Sequence, residues 1–351
     1  MARIFRALTG ATIAALIGAA GIPAQASAAT APHWLKPRVM PLDRADNFTE
    51  VAASGSGNIW AGGQASVDVD DGVVPIWHWN GTKWARAAAP AGFGDQVVDL
   101  TTGGAGNTWA LGDDLYRWSG GKWVAAGAQG ADVTAIGAVG AQGLFAAHPG
   151  GIRYYDGATW RSFALPAKAA VTAIRVVSRT NAWAVGTIKT GDTVRQPFAA
   201  HWDGTTWTRT ATPEVDAGPE GNSLTISDAA TVGADTAFIS GQLMTAEGDF
   251  QTVLLRWNGT TWARVAAPPN AKSGLDDVAA DGHGGLWAVT SSVNGVLHRT
   301  ASGTWTTEAL PGDGHPSAWA VTRIPGTQRA IAGGDVEPTA STRNPAVMLT
   351  D

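Results

Sequence analysis

One short unit recurs along the chain and limits what it can fold into: an aromatic residue, a polar residue, glycine, two more residues, then tryptophan. Five copies are Trp79-Asn80-Gly81-Thr82-Lys83-Trp84, Trp118-Ser119-Gly120-Gly121-Lys122-Trp123, Tyr155-Asp156-Gly157-Ala158-Thr159-Trp160, Trp202-Asp203-Gly204-Thr205-Thr206-Trp207 and Trp257-Asn258-Gly259-Thr260-Thr261-Trp262. A sixth, Ser302-Gly303-Thr304-Trp305, keeps the end but lacks the first aromatic. Asn-Gly and Asp-Gly between hydrophobic runs signal a tight hairpin, because both residues tolerate positive φ. Each copy therefore predicts two antiparallel strands.

A second element lies upstream of each hairpin. Gly57-Asn58-Ile59-Trp60-Ala61-Gly62, Gly106-Asn107-Thr108-Trp109-Ala110-Leu111-Gly112, Asn181-Ala182-Trp183-Ala184-Val185-Gly186 and Gly285-Leu286-Trp287-Ala288-Val289 are its clear members. Gly143-Leu144-Phe145-Ala146, Thr236-Ala237-Phe238-Ile239-Ser240-Gly241 and Arg329-Ala330-Ile331-Ala332-Gly333 carry Phe or Ile in place of Trp. An alternating apolar stretch such as Val97-Val98-Asp99-Leu100 precedes each and makes a further hairpin. Two hairpins per unit at a spacing of roughly 40 residues give four-stranded propeller blades.

The upstream element counts seven blades, yet only six downstream hairpins are complete. The chain ends account for the missing strand. Ala346-Val347-Met348-Leu349-Thr350-Asp351 reads as the third strand of the last blade, and His33-Trp34-Leu35-Lys36 through Met40-Pro41 imitates a fourth strand. The expected fold is an all-β, seven-bladed β-propeller of four-stranded blades, closed by the N-terminal strand completing the last blade. Such closure leaves no open edge between first and last blades.

Residues 1–28 read as a secretory signal peptide. Arg3 and Arg6 form a positive start, residues 11–22 an apolar run too short for a comfortable span, and Ala24-Gln25-Ala26 and Ala26-Ser27-Ala28 two small-residue cleavage patterns. Residues 29–351 then form a single domain, expected to be secreted and extracellular, with no membrane insertion. The formal net charge is −5, and no basic run appears, which argues against nucleic acid as a partner. Cysteine is absent, so thiol nucleophiles, thiolate zinc sites and iron–sulfur clusters are excluded. Gly 45 and Trp 17 fit many short strands joined by tight turns.

The upstream half, as in Gly57-Asn58-Ile59-Trp60-Ala61-Gly62, resembles the repeats of bacterial regulator-type propellers. The downstream half, as in His201-Trp202-Asp203-Gly204-Thr205-Thr206-Trp207, is similar to repeats of secreted bacterial propellers and seven-bladed propeller lectins, among them the lectin subunits of umbrella toxin particles. That resemblance covers residues 29–351 and implies non-catalytic recognition of a glycan or cell-surface polysaccharide. It also leaves open docking of another secreted protein, as within a toxin assembly. Repeats of this kind specify a blade rather than a task.

Trp79, Trp118, Trp202 and Trp257 are the expected ligand-stacking residues, because the C–H faces of sugar rings suit electron-rich aromatics. The competing reading makes them wedges between blades, and repetition in nearly every blade suits both. Four long second-to-third strand loops, 66–74, 188–196, 243–251 and 335–344, share one face with the links between blades. Irregular loops on a rigid ring favour binding there, with Asp70, Asp71, Arg195 and Asp249 as candidate contacts. Asp68-Val69-Asp70-Asp71-Gly72 lacks the full calcium-loop pattern and reads as a solvated acidic turn, so no metal site is expected. His78 and His201 share one repeat position, taken elsewhere by Arg117, Tyr154 and Arg256, and read as surface strand residues. No nucleophile elbow, zinc-histidine pair or phosphate loop is present, so neither catalytic residues nor a cofactor are expected. A lyase or glycosidase acting on polysaccharide remains the enzymatic alternative.

Overall fold

The computed structural model describes residues 33–40, 45–65, 74–127, 132–191, 194–216, 222–339 and 342–351. The leader and the Asp70 and Asp71 positions lie outside the described residues. The first strand, β1 (Arg38–Val39), precedes six complete blades. Blade one is β2 (Ala45–Gly55), β3 (Asn58–Ala65), β4 (Ile76–Trp79) and β5 (Trp84–Arg86). Blade two is β6 (Asp99–Gly104), β7 (Asn107–Leu111), β8 (Leu115–Ser119) and β9 (Lys122–Ala125). Blade three is β10 (Ala135–Val139), β11 (Gly143–His148), β12 (Gly151–Tyr155) and β13 (Trp160–Ala164). Blade four is β14 (Ala169–Ser178), β15 (Asn181–Lys189), β16 (Arg195–Trp202) and β17 (Trp207–Thr210). Blade five is β18 (Ser223–Gly233), β19 (Thr236–Met244), β20 (Phe250–Trp257) and β21 (Trp262–Arg264). Blade six is β22 (Asp277–Ala280), β23 (Leu286–Val289), β24 (Val296–Arg299) and β25 (Trp305–Glu308). Blade seven begins with β26 (Pro316–Arg323), β27 (Ala330–Thr339) and β28 (Thr342–Leu349).

Its fourth strand is β1, so the expected closure by the N-terminal strand holds. The pairing is short, Arg38 opposite Val347 and Val39 opposite Ala346, and is extended by a bridge between Trp34 and Thr350. The first strands of the blades, β2, β6, β10, β14, β18, β22 and β26, contact one another in that order around a central channel, and β26 contacts β2. No helix among the described residues is long and apolar enough to cross a membrane.

Four of the hairpin turns are built alike. Asn80, Asp156, Asp203 and Asn258 accept, through Oδ1, the amides two and three residues ahead, while the following glycine takes a positive φ of 93° to 105°. The expected 335–344 loop is instead largely strand, since β27 runs to Thr339 and β28 begins at Thr342; β15–β16 and β19–β20 extend in the same way.

The core lies between blades and follows one rule. The aromatic of each second strand packs edge-on against the hairpin aromatics of the next blade. Trp60 meets Trp118 and Trp123, Trp109 meets Tyr155 and Trp160, and Phe145 meets Trp202 and Trp207. Trp183 meets Trp257 and Trp262, while Trp287 meets Trp34 of the closing segment. Phe238 clusters with Trp305, and Ile331 of blade seven with Trp79 and Trp84 of blade one. Each Trp that buries its ring contributes a few kcal/mol, which offsets the absence of disulfides.

Candidate functional site

The channel site arises where the first strands break their own regularity. At their entry ends, the pairing with the second strand slips by one residue in blades one, four, five and seven. The extra residues are Thr49, Thr172, Ser227 and Trp319. A bulge of this kind re-aims a side chain, and all four line a cavity of about 300 Å³ at the channel mouth. Opposite each bulge stands a glycine, Gly63, Gly186, Gly241 or Gly334. A Cβ at these positions would overlap the carbonyl oxygen of Asn47, Ala170, Thr225 or Ser317, so the close approach admits only glycine. A glycine three residues after the second-strand aromatic, or after its Ile331 counterpart, accompanies each of these bulges but does not specify one, since Gly112 holds the same place in blade two, whose paired register shows no slip at that end. Blades three and six carry His148 and Thr290 there.

One layer below the bulges, equivalent first-strand positions form a ring: Glu50, Asp99, Ala135, Ala173, Asp228, Asp277 and Ala320. Four are acids. Three of them stitch their blade to the next by accepting a backbone N–H: Asp99 from Ile136 at 2.8 Å, Asp228 from Val278 at 3.2 Å and Asp277 from Val321 at 2.8 Å. Glu50 accepts no hydrogen bond among the described residues. The cation of the layer is Arg175, whose guanidinium pairs with Asp228, lies 3.7 Å from Asp277 and donates through Nε to the Ala229 carbonyl. Its side chain keeps 34% of its surface open to the channel, against 3% for Asp228. Below this layer the channel continues into a second cavity of about 210 Å³, with Arg323 at its far end.

Burial governs the electrostatics, because desolvation penalises charge. It raises the Glu50 carboxyl well above its ordinary value, with the negative charge of Asp99 adding to the effect. Burial likewise lifts Asp99 to about 6, against the pull of Arg175. Asp277 is raised well above its usual range by burial, then by the nearby charge of Asp228. Burial works against the Arg175 charge, but Asp228, Asp277 and Asp99 outweigh it and hold the guanidinium protonated. No three His, Cys, Asp or Glu side chains among the described residues converge to hold a metal ion. The arrangement is fit for charge recognition within an enclosed, water-accessible channel.

The residues singled out from sequence do not gather at this mouth. Trp202 is 3% exposed and wedged between blades three and four, with its Nε1 donating to the Arg179 carbonyl. Trp118 and Trp257 are half-buried wedges of the same kind. Trp79 is half-buried at the seam of blades seven and one, where it donates to the Ser56 carbonyl. That seam retains a cavity of about 280 Å³ lined by Trp79, Trp84, Arg38 and Arg329. Arg195 donates to Thr187 Oγ1, and Asp249 lies exposed in the β19–β20 turn. Exposed Val98, Val194, Met244 and Phe250 share the channel-mouth face with them.

His78 and His201 are not surface strand residues. His78 stacks on Trp60 and His201 packs on Trp183, and the imidazole Nε2 atoms lie 2.8 and 3.0 Å from Asn58 Oδ1 and Asn181 Oδ1. His298 repeats the pattern on Trp287 with Asp281. Burial lowers the pKa of His78 and His201. The Gly-Asn-x-Trp spacing carried this signal, since the Asn also receives the Trp60 and Trp109 indole N–H.

The sequence matches no protein-family profile and no curated protein. Solved structures share the fold at low identity. U3-55K aligns at 11% identity with a TM-score of 0.62, over 92% of this chain and all of the other. Catalytically inactive virginiamycin B lyase from Staphylococcus aureus with quinupristin aligns at 15% and 0.57, over 90% and 99% of the two chains. YCF48 bound to D1 peptide aligns at 12% and 0.54, over 91% and 97%. The propellers it resembles thus include both an enzyme and a peptide-bound protein.

Proposed function

We propose that this chain is a non-catalytic binding propeller that works outside the cell and docks a partner protein on its channel-mouth face. A basic side chain of the partner enters the upper channel. The observation that carries this reading is the polar vestibule opened by four bulges above a ring of four carboxylates that holds one guanidinium. An incoming Lys or Arg meets Glu50 and Asp277 beneath Trp319, whose ring suits a cation. The exposed Val98, Val194, Met244 and Phe250 supply apolar contacts on the same face. A peptide-bound propeller among the fold neighbours is consistent with this use of the fold. Export rests on the leader features of residues 1–28.

A positional-scanning library of acetylated hexapeptides tests the docking. Enrichment of Arg or Lys at one position, lost on Glu50→Gln with Asp277→Asn, supports it; indifference to charge sinks it.

A second reading, carbohydrate recognition, is favoured by the seam of blades seven and one. There the half-buried Trp79 and Trp84 face a cavity beside Arg38 and Arg329, a platform suited to an acidic sugar ring. A glycan array probed with the purified protein and with Trp79→Ala decides it. Selective binding lost in the variant supports the seam site, and an empty array discards it.

A further inference from the structure

We infer that the carboxylate ring is a proton-linked receptor: when empty it stores a proton among its acids, and it releases that proton as a basic side chain enters. This deepens the docking reading above and rests on it. The geometry supplies the reason. Asp228 and Asp277 come from adjacent blades and lie against the same guanidinium nitrogen of Arg175, so the four acids of the layer have a single cation among them. Arg175 is bound to Asp228 and near Asp277, so it is committed to that pair. Glu50 and Asp99 stand across the same layer with no positive partner closer than Arg175.

The other charged groups around the layer do not alter this balance. Asp276 lies at the mouth and adds negative charge. Arg323 lies at the far end of the lower cavity and bonds the Thr327 carbonyl. Asp335 is buried behind Trp319 and accepts its indole N–H at 2.5 Å. The raised carboxyls of Glu50, Asp99 and Asp277 agree with a ring that retains protons when empty.

On entry of a guanidinium, the O–H bond of the protonated carboxyl breaks and its proton passes to water at the mouth. The incoming cation keeps its own protons. One proton leaves per cation bound, so affinity for a basic segment rises about tenfold per pH unit while the ring is still protonated and levels off above.

Carboxyl-carbon NMR of the ¹³C-labelled Asp and Glu side chains in the whole protein tests both halves. In the free protein at pH 7, Glu50 or Asp277 is expected at its protonated shift. Adding the peptide acetyl-Gly-Gly-Arg-Gly-Gly-amide moves that carbon to the ionised shift, and the citrulline analogue, which is uncharged, leaves it in place. Full ionisation of both carbons below pH 5 overturns the stored proton. A protonated carbon that stays so while mouth amides shift with the Arg peptide overturns the coupling. No peptide-induced shift anywhere overturns the docking reading and the coupling together, while the free-protein titration still decides whether the proton is there. Asp277→Asn, which imitates the protonated acid, and Glu50→Gln, should each reduce the pH dependence of peptide affinity; a dependence unchanged in both overturns the assignment to this ring.

Discussion

The outer hairpins and the first strands of this propeller obey different rules, and their carboxylates show it. In the turns, Asp156 and Asp203 accept the backbone amides ahead of them, and those hydrogen bonds lower both carboxyls from their ordinary value. In the channel, Glu50, Asp99 and Asp277 are held above it by burial. The same side chain is thus an ionised turn-former at the rim and a proton holder at the axis. The turns repeat because each needs only its own six residues. The first strands differ because each faces six others across a shared channel, where identical residues would crowd one point with one charge.

The largest expected effect concerns the wedges. Trp202→Ala should cost about 3–5 kcal/mol in urea unfolding, since it empties a closed interblade space. Trp79→Ala, at the looser seam of blades seven and one, should cost clearly less; equal losses would show that this seam is packed as tightly as the rest.

Next come the bulges. Gly186→Ala drives a Cβ into the Ala170 carbonyl and should cost roughly 2–4 kcal/mol. Thr290→Gly in blade six removes a buried hydroxyl that bonds Ser273 and Ser292, and should cost about 1–3 kcal/mol. A mild Gly186→Ala effect would mean that the bulge can migrate along the strand.

The two sets of acids then separate by the sign of their pH dependence. A raised carboxyl binds its proton more tightly folded than unfolded, so its stabilisation is full below about pH 4 and fades as pH rises through about 6 and beyond. Glu50→Gln should therefore flatten the decline in melting temperature between pH 5 and 7.5 and raise the value at the upper end. A decline as steep as in the parent would remove Glu50 from the ring's titration.

The smallest effect lies in the turns. Asp203→Asn places there the residue that Asn80 and Asn258 already show to be compatible. It should leave neutral stability nearly unchanged. A depressed carboxyl stabilises above its unfolded value and loses that contribution on acidification, so the variant should lose part of the parent's decline below pH 4. An unchanged acid limb would show that the turn bonds are as strong to a protonated side chain.

Legibility followed the range of each interaction. Asn-Gly and Asp-Gly name a turn from adjacent residues, and the aromatic spacing counts blades, so the hairpins, the seven-fold repeat and the closure by Trp34 through Met40 were readable. The wedge role of Trp202 was readable only as one of two alternatives, because a repeated Trp looks the same whether it faces a neighbour or a ligand. The carboxylate ring was hidden for a different reason. Val98-Asp99-Leu100 reads as one acid in an apolar run, and its meaning appears only when Glu50, Asp228 and Asp277 are set at the same height by pairing with their second strands.

By itself, then, the sequence determined the blade, the number of blades and the way the ends meet, because turn chemistry and strand alternation act within a few residues. The tertiary structure decided that the second-strand aromatics clamp the next blade's hairpins, that four glycines admit bulges at the mouth, and that four acids from separate blades surround one arginine. Those outcomes depend on distances between residues more than 30 positions apart, which ring closure sets and no local pattern records.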